Sequence, residues 1–354
     1  MKVAIDKNTI NQIKDFKQFE YYYIYDDTEK LEDLLKLGLH CIHKNAVIDI
    51  DINLTNYKIG AFKKANINEP DWYKMPEKKA YKYVIIIPNY NNDRGNYQGK
   101  TYLQNCIESV LNQTYENFEL IIVDDMSTDT SIQTIEEYRS KEEYIDKIHL
   151  IKNKRKRYNG GSRNVGIEYA LTNFDFNYFC FIDSDDWWKD NKVLENINAR
   201  LHNHELMTIG CEMLFSNGSK YTQSNRADNY EDLYALNGKV WCTAWARIIR
   251  KDKIVYFCED TLMEDRVWAY KLADNIDFDN YINYDRECYC WNRMNTSNSV
   301  SLVRDEYWNA CAYCHIGHQL QLISKLKHKE MIPIIKQRIE KCKEMVNSGK
   351  YQQY

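Results

Sequence analysis

One stretch decides the fold: Phe179-Cys180-Phe181-Ile182-Asp183-Ser184-Asp185-Asp186-Trp187-Trp188. Its first half is apolar and aromatic and predicts a buried strand, whereas three carboxylates follow within four residues. Unpaired carboxylates packed this closely repel one another and are costly to bury. A divalent cation removes that cost, and Mg²⁺ or Mn²⁺ accepts hard oxygen ligands while keeping positions for substrate phosphates. The alternative is a surface turn, because Asp and Ser favour turns.

Alternating strand and helix patterns precede this stretch. Strands are predicted at residues 83–87, 118–123 and 148–151, and helices at about 101–112, 130–139 and 159–171. The first two strands are almost continuously apolar, as is typical of strands covered on both faces. The alternation predicts an α/β fold, Rossmann-like, with a mostly parallel central sheet flanked by helices. Ligands of such sheets bind at the carboxyl ends of the strands, where residues 88–92, 124–129 and 183–186 lie.

The remaining chain suggests two further regions. Residues 1–80 are interpreted as an N-terminal accessory α/β region, with a helix over 14–39 and an alternating strand over 47–54. Asp49 and Asp51 fall on the solvated face of that strand and are not taken as a metal pair. Residues 81–303 form the main domain, and residues 304–354 are helical throughout in their spacing. We expect this C-terminal helical region to pack on the sheet domain.

Composition excludes several classes of protein. The 354 residues carry 48 basic and 52 acidic side chains, a net charge of −4, so no global field attracts nucleic acid or an anionic membrane. The eleven cysteines are scattered and odd in number, which predicts reduced thiols in a cytoplasmic protein. No secretory signal is visible, and no apolar run approaches the ~20 residues needed to span a bilayer. Peripheral binding at the inner membrane face and oligomerisation are left open.

A series of motifs, in this order and spacing, resembles glycosyltransferase family 2. They are Ile86-Ile87-Pro88-Asn89-Tyr90-Asn91, Val110-Leu111-Asn112-Gln113-Thr114-Tyr115, Val123-Asp124-Asp125-Met126-Ser127-Thr128-Asp129, Gly161-Ser162-Arg163-Asn164-Val165-Gly166-Ile167 and Asp183-Ser184-Asp185-Asp186. The resemblance covers roughly residues 82–300 and implies a GT-A fold, a sugar-nucleotide donor and a divalent cation. One residue departs from the pattern, because Met126 stands where the family usually has glycine.

The resemblance also implies roles for individual residues. Those implied to bind the nucleotide are Pro88, Tyr90, Asp125, Arg163 and Ser184. Asp183 and Asp185 form the D-x-D pair that binds Mn²⁺ or Mg²⁺, with Asp185 the more direct ligand. Arg163 is equally explained as a charge on a helix surface. The basic run over residues 152–157 would face a diphosphate or an anionic acceptor, or be a solvated surface.

Inverting sugar transfer requires a carboxylate that takes the proton of the acceptor hydroxyl. Glu264-Asp265 resembles the acidic pair of the family, with Asp265 as the base and Glu264 as a neighbour that contacts the acceptor. Glu259-Asp260 is a competing pair, and the preference of helix N-termini for acids explains either one. Trp245 is expected either to line the acceptor pocket or to belong to the core.

Together these assignments predict a metal-dependent, inverting, non-processive glycosyltransferase. Its donor would be a nucleotide-sugar, with a UDP-sugar favoured as the commonest donor of the family, and its acceptor a glycan, a glycolipid or another hydroxyl compound. A nucleotidyltransferase, which shares the sheet and the acidic site, would need a glycine-rich loop in place of residues 88–91. A catalytically silent sugar-nucleotide or glycan-binding module would not need intact Asp183, Asp185 and Asp265.

Two further features of the sequence suggest other functions. Cys311-Ala312-Tyr313-Cys314-His315 spells the pattern of c-type haem attachment, but it lies within a helical stretch of a chain without a visible export signal. Nucleic acid is disfavoured as an acceptor by the charge balance, although the basic run keeps it open.

Overall fold

The computed structural model describes residues 2–5, 20–25, 41–43, 80–155, 158–261, 263–294 and 306–348. They belong to two compact units, residues 1–77 and 78–354. In the first unit, β1 (Lys2–Ile5), β2 (Glu20–Tyr25) and β3 (Cys41–His43) form a parallel sheet in that order. β2 corrects the helix predicted over residues 14–39, because its tyrosines and isoleucine favour strands. The leucine-rich part of that helix and the strand predicted over 47–54 lie outside the described residues.

The second unit contains the predicted parallel strands. They are β4 (Tyr83–Asn89), β5 (Phe118–Asp124), β6 (Ile148–Lys152) and β7 (Tyr178–Phe181), which pair in the order β6-β5-β4-β7. All three pairings are parallel. The carboxyl ends of these strands therefore meet at one edge of the sheet, as the sequence predicts.

Beyond β7 the sheet becomes mixed. Its strands are β8 (Trp187–Trp188), β9 (Leu206–Phe215), β10 (Lys220–Gln223), β11 (Arg247–Arg250) and β12 (Tyr281–Arg293). β11 lies antiparallel between β7 and β9, β12 pairs parallel with β9, and β8 and β10 pair antiparallel with β12 and β9. Only the first half of the sheet is parallel throughout, because among the described strands of the second half just the β9–β12 pair is parallel.

Helices cover both faces of this sheet. They are α1 (Tyr102–Leu111), α2 (Ser131–Arg139), α3 (Asn159–Asn173), α4 (Val193–Arg200), α5 (Tyr230–Leu233), α6 (Glu264–Asn275), α7 (Glu306–Ile323) and α8 (Ile332–Asn347). On β4, Val84 and Ile86 join the cluster of α3, α6, α7 and α8, whereas Ile85 and Ile87 join that of α1, α2 and α4. Both faces of β4 are therefore buried, which explains its uninterrupted apolar sequence.

Two predicted helix boundaries differ from the structure. α2 begins at Ser131, one residue later than the predicted helix over 130–139, and Asp129 accepts a hydrogen bond from the Ser131 N–H at 3.0 Å. The C-terminal region is not helical throughout, because α7 ends at Ile323 and α8 starts at Ile332. Within the part of the chain that the structure describes, no helix is long and apolar enough to cross a membrane.

Pro88 ends the pairing between β4 and β7. The Ile182 N–H donates to the Ile86 carbonyl at 3.1 Å, and Pro88 is the next β4 residue whose nitrogen faces β7. Because proline has no N–H, it cannot extend this ladder. β4 itself continues beside β5 to Asn89, so Pro88 is a buried strand residue rather than the start of the loop. The two strands therefore cease pairing just before the acidic turn.

Candidate active site

The ends of β4, β5 and β6 hold Asp125 in a fixed position. The Asp125 N–H donates to the Asn89 carbonyl at 2.8 Å, which continues the β4–β5 pairing. The amide of Asn153, just after β6, donates to Asp125 Oδ1 at 2.7 Å, and the Tyr158 N–H donates to Oδ2 at 2.8 Å. Each carboxylate oxygen keeps a second lone pair. Asp125 is therefore a pre-oriented acceptor at the rim of the sheet.

The loop after β4 is bonded to the loop after β5. Asn91 Oδ1 accepts the Thr128 N–H at 2.7 Å, and the Asn91 N–H donates to Ser127 Oγ at 3.0 Å. Tyr90 projects from this junction with 45% of its surface exposed. An exposed aromatic ring beside Asp125 suits the nucleoside contact that the resemblance implies for Tyr90.

The acidic turn 183–186 separates three carboxylates into different surroundings. Asp186 is buried and accepts the Tyr289 hydroxyl at 2.7 Å and the Asn292 N–H at 2.8 Å, so it ties the turn to β12. Burial and repulsion by the two neighbouring acids raise the pKa of Asp186. Asp183 and Asp185 are only partly buried. Asp186 is thus a structural acid, and the other two remain accessible.

Arg163 joins the acidic turn to the start of α6. Its side chain is 1% exposed, and its guanidinium donates to Asp183 Oδ1 at 2.6 Å, to Glu264 Oε1 at 2.7 Å and to Asp265 Oδ1 at 3.1 Å. The Phe257 ring lies 5.2 Å from the guanidinium carbon. Arg163 is therefore not a charge on the helix surface. Its guanidinium brings Asp183 and Asp265 close together.

Two glycines of α3 allow Arg163 to reach these acids. A Cβ on Gly160 would lie 2.2 Å from the Cys258 carbonyl oxygen, and one on Gly166 would lie 2.7 Å from the Ile86 side chain. Either contact is too close for a real side chain, so both residues are required by packing. They let α3 approach β4 on one side and the segment before α6 on the other.

Opposing effects set the charge of this cluster. Burial raises the pKa of Glu264 and of Asp265, and the Arg163 guanidinium opposes that rise. Burial alone would lower the pKa of Arg163, but the surrounding carboxylates raise it, so the arginine stays charged. A partly exposed carboxylate whose pKa is raised in this way is a stronger proton acceptor than a solvated one.

The competing acidic pair has other partners. Glu259 accepts Arg155 at 2.9 Å and the Asn164 amide at 2.8 Å, and Asp260 contacts His318 at 2.5 Å. Arg155 also pairs with Glu168 at 2.5 Å. In the structure, these contacts link the basic run to α3 and to the loop before α6. The geometry favours Glu264 and Asp265 over the earlier pair, since Arg163 links them to the acidic turn.

Ser184 and Trp245 are less accessible than the other predicted site residues. Ser184 is buried and accepts the Asn92 amide at 2.6 Å, which anchors the acidic turn to the loop after β4. Trp245 is 2% exposed and stacks on Tyr289 with ring centroids 4.3 Å apart. Its burial supports the core alternative and not a pocket lining. Tyr289 donates a hydrogen bond to Asp186, so this stack helps to hold the acidic turn in place.

The donor set at the acidic turn fits a hard divalent cation. Among the described residues, the Asp185 carboxylate makes no hydrogen bond or ion pair with another residue, and Arg163 contacts only Oδ1 of Asp183. Burial and the repulsion by Asp183 raise the pKa of Asp185 to about 6, which a bound cation would reverse. The described residues hold no complete three-ligand cluster. Mg²⁺ and Mn²⁺ sites commonly complete such partial sets with substrate phosphates.

Several residues of the site were missed by sequence reasoning. They are Asn92, Asn153, Tyr289 and Asn292. Each is an ordinary polar or aromatic residue whose role depends on a distant partner. Asn153 carried one local signal, since it lies two residues after the strand predicted at 148–151.

The haem-like pattern lies on α7, with His315 fully buried. Neither ring nitrogen of His315 has a hydrogen-bond partner in the described structure. Burial lowers the pKa of His315 to about 3, and the charges of Arg266 and His318 act in the same direction. His315 is therefore a neutral core residue, and its protonation opposes folding.

This burial predicts an acid-sensitive stability. Because the pKa of His315 is about 3 when folded and near 6.5 when unfolded, the unfolded chain binds more protons below pH 6.5. Stability is retained above that pH and is lost by about 2 kcal/mol between pH 7 and pH 5 through this residue alone. We expect His315→Leu to remove that part of the slope in urea unfolding, whereas His202→Asn, at an exposed turn, retains it. An unchanged slope in His315→Leu would contradict the assignment.

Comparison with known proteins agrees with this geometry. The family model described as Glycosyl transferase family 2 matches residues 84–287, more than half of the chain. A poly(ribitol-phosphate) beta-glucosyltransferase of Bacillus spizizenii is 27% identical over 215 residues, covering 56% of this chain and 32% of the relative. The Escherichia coli UDP-Glc:alpha-D-GlcNAc-diphosphoundecaprenol beta-1,3-glucosyltransferase WfgD is 32% identical over 139 residues, covering 39% and 49%. The match covers between 32% and 46% of the length of four such curated relatives.

Solved structures show the same fold. The crystal structure of Staphylococcus aureus TarS 1–349 in complex with UDP-GlcNAc aligns with 77% of this chain and 89% of that chain, at a TM-score of 0.53 and 18% identity. At this identity the likeness concerns the fold, a GT-A-like α/β sheet flanked by helices. With the family model matched from β4 into β12, across the strand ends and the acidic turn, this chain belongs to glycosyl transferase family 2.

Proposed function

We propose that this protein is a metal-dependent, inverting glycosyltransferase that moves a sugar from a nucleoside diphosphate sugar to an acceptor hydroxyl. The observation that carries the proposal is the contact of one buried guanidinium, that of Arg163, with both Asp183 and Asp265. This contact links Asp183, which would lie beside the diphosphate of the donor, to Asp265, which would activate the acceptor hydroxyl. The family membership supports the same reaction.

The donor end is formed by Tyr90, Asp125 and the acidic turn. Tyr90 would contact the nucleoside, and Asp125 would accept a hydrogen bond from the edge of the base or from the ribose. Asp185 and the second oxygen of Asp183 would hold Mn²⁺ or Mg²⁺, which when bound neutralises the charge of the leaving diphosphate. A UDP-sugar is the proposed donor, because UDP-Glc and UDP-GlcNAc appear in the descriptions of the E. coli relative and of the TarS structure.

The acceptor end is formed by Asp265 with Glu264 beside it. Asp265 Oδ1 is bonded to Arg163, so Oδ2 would accept the proton of the acceptor hydroxyl. The acceptor oxygen would attack the anomeric carbon from the side opposite the nucleotide, and the bond to the diphosphate would break with inversion. The chain needs no covalent nucleophile for this reaction. Arg163 keeps Asp265 oriented and ionised before the proton arrives.

The relatives suggest the class of acceptor. The B. spizizenii protein is named for poly(ribitol-phosphate) and the E. coli protein for a sugar on diphosphoundecaprenol, so both names describe hydroxyl-bearing acceptors, one a polymer and the other a lipid-linked sugar. We extend this class to the present chain, which would act on a glycan or glycolipid hydroxyl.

A panel of sugar nucleotides tests the donor and the metal together. UDP-Glc, UDP-GlcNAc, UDP-Gal and GDP-Man are each incubated with the protein and Mn²⁺, and nucleotide release and the shift in Tm are measured. We expect a UDP-sugar to give both signals and chelation with EDTA to abolish release. If no donor gives release or a thermal shift with either Mn²⁺ or Mg²⁺, the proposed function is wrong.

The substitution Asp185→Asn tests the contribution of metal binding separately from that of the other site residues. Removing this charge should raise the Mn²⁺ concentration for half-maximal nucleotide release at least about tenfold, by analogy with the loss of other residues at metal sites. Tm in the absence of metal should stay equal or rise, because a carboxylate that is partly buried and repelled by Asp183 is lost. Asp190→Asn, in which the acid removed pairs with Arg286 on the surface, is the matched control and should keep the wild-type metal dependence.

A further inference from the structure

Met126 has an unusual backbone and an unusual exposure. Its φ is +63°, in the left-handed region that glycine tolerates and that costs other residues about 1 kcal/mol or more. Its side chain is 48% exposed, so burial of the methionine offsets little of that cost. Strained residues of this kind persist where their surroundings hold them and are frequent at functional sites.

Hydrogen bonds on both sides hold the backbone around Met126. Asp125, before it, is held by Asn153 and by the Tyr158 N–H. Ser127, after it, donates its N–H to Asp124 Oδ2 at 3.1 Å, and its hydroxyl accepts from Asn89 Nδ2 at 3.2 Å. The loop therefore presents the thioether from a rigid backbone.

Tyr90 stands on the neighbouring strand end. Asn89 pairs with Asp124 in the parallel ladder, so Tyr90 and Asp125 are the next residues on adjacent strands. The contacts of Asn91 with Ser127 and Thr128 keep the two loops together. Two large exposed side chains, those of Tyr90 and Met126, thus follow the neighbouring ends of β4 and β5, and Asp125 directly precedes Met126.

We propose that Met126 packs against the nucleobase and ribose of the donor and positions them for Asp125. The inference rests on the proposed function and names the part of the substrate that this side chain recognises. A thioether adapts to a flat ring and makes favourable contacts with it, whereas Asp125 can hydrogen-bond only the edge of that ring. A glycine at this position would relieve the backbone but leave one face of the base in water.

Met126→Gly gives stability and binding effects of opposite sign. We expect Tm to stay equal or rise, because glycine accepts the positive φ, and the dissociation constant for UDP in the presence of Mn²⁺ to increase about two- to tenfold. Inorganic pyrophosphate with Mn²⁺ has no base and should bind both proteins equally. Met126→Leu keeps an apolar side chain and should stay within about twofold of the wild type for UDP. Isothermal titration calorimetry measures the binding of UDP and of pyrophosphate to the wild type and to both variants, and thermal unfolding gives Tm.

The methyl resonance of Met126 provides a second readout. In protein labelled with ¹³C at the methionine methyl groups, the signal that disappears in Met126→Leu should shift with UDP and stay in place with pyrophosphate. Equal UDP affinity in Met126→Gly and wild type, or an equal loss for UDP and pyrophosphate, overturns this inference alone. If wild-type protein with Mn²⁺ binds none of UDP, GDP and CDP, the proposed function falls and this inference with it.

Discussion

Asp265→Asn should lower the rate of sugar transfer by about a thousandfold while the dissociation constant for UDP changes less than about twofold. A general base contributes about 10²–10⁴-fold, and an asparagine of the same shape cannot accept the proton. Arg163 keeps its contacts with Asp183 and Glu264, so the donor end is preserved. Nucleotide release from the preferred donor and calorimetric binding of UDP measure the two effects separately.

Unfolding measurements distinguish this loss from damage to the fold. Because burial raises the pKa of Asp265, the ionised carboxylate costs stability above its unfolded pKa, and the cost grows as pH rises. Removing the charge should therefore leave Asp265→Asn as stable as the wild type at pH 7 and 8, or more stable. A large drop in the Tm of Asp265→Asn would mean that its activity is lost because the fold is damaged, and not because the base is missing.

Asp260→Asn is the matched control, since it removes the acid of the competing pair. Asp260 contacts His318 and not Arg163. We expect it to retain transfer within about threefold of the wild type. If Asp260→Asn loses transfer and Asp265→Asn keeps it, the base belongs to the earlier pair, and the role given to α6 is wrong.

Arg163→Met should destabilise the protein by about 3–5 kcal/mol, the usual cost of removing one partner from a buried ion pair. Three carboxylates would lose their shared cation: Asp183, Glu264 and Asp265. The folded pKa values of Glu264 and Asp265 would then rise further above the unfolded values. Since such groups cost stability once pH exceeds the unfolded pKa, the destabilisation should be greater at pH 8 than at pH 5.

Urea unfolding at both pH values tests this prediction. Arg155→Met is the control, because Arg155 is paired with Glu168 and Glu259 at the surface and should contribute less than about 1 kcal/mol. Arg163→Lys keeps one charge but not the planar fork and should fall between wild type and Arg163→Met. A loss in Arg163→Met that equals that of Arg155→Met, or is independent of pH, would contradict the proposed cluster.

Much of the first half of the fold follows from local pattern. The strands β4 and β5 are covered on both faces, so their apolar runs identify them without knowledge of their neighbours. Parallel order then places residues after each strand at one edge, which brought Asp125 and Asp183 into the predicted site. The mixed half of the sheet was not predictable in this way, because β11 and β12 pair with strands that are distant in the chain. The residue pattern of a strand does not show whether it pairs parallel or antiparallel with its neighbours.

The sequence by itself indicated the kind of chemistry, because a series of motifs in one order and spacing resembles a glycosyltransferase family, and acids at the end of a predicted buried strand suit a divalent cation. The tertiary structure alone decided which acids cooperate: Arg163 reaches Asp183 and Asp265, 20 and 102 residues away, whereas Asp260 turns to His318. It also decided that Trp245 is core and that Met126 adopts a left-handed backbone. Burial, pairing and backbone angle depend on contacts between distant segments, and local residue patterns do not record those contacts.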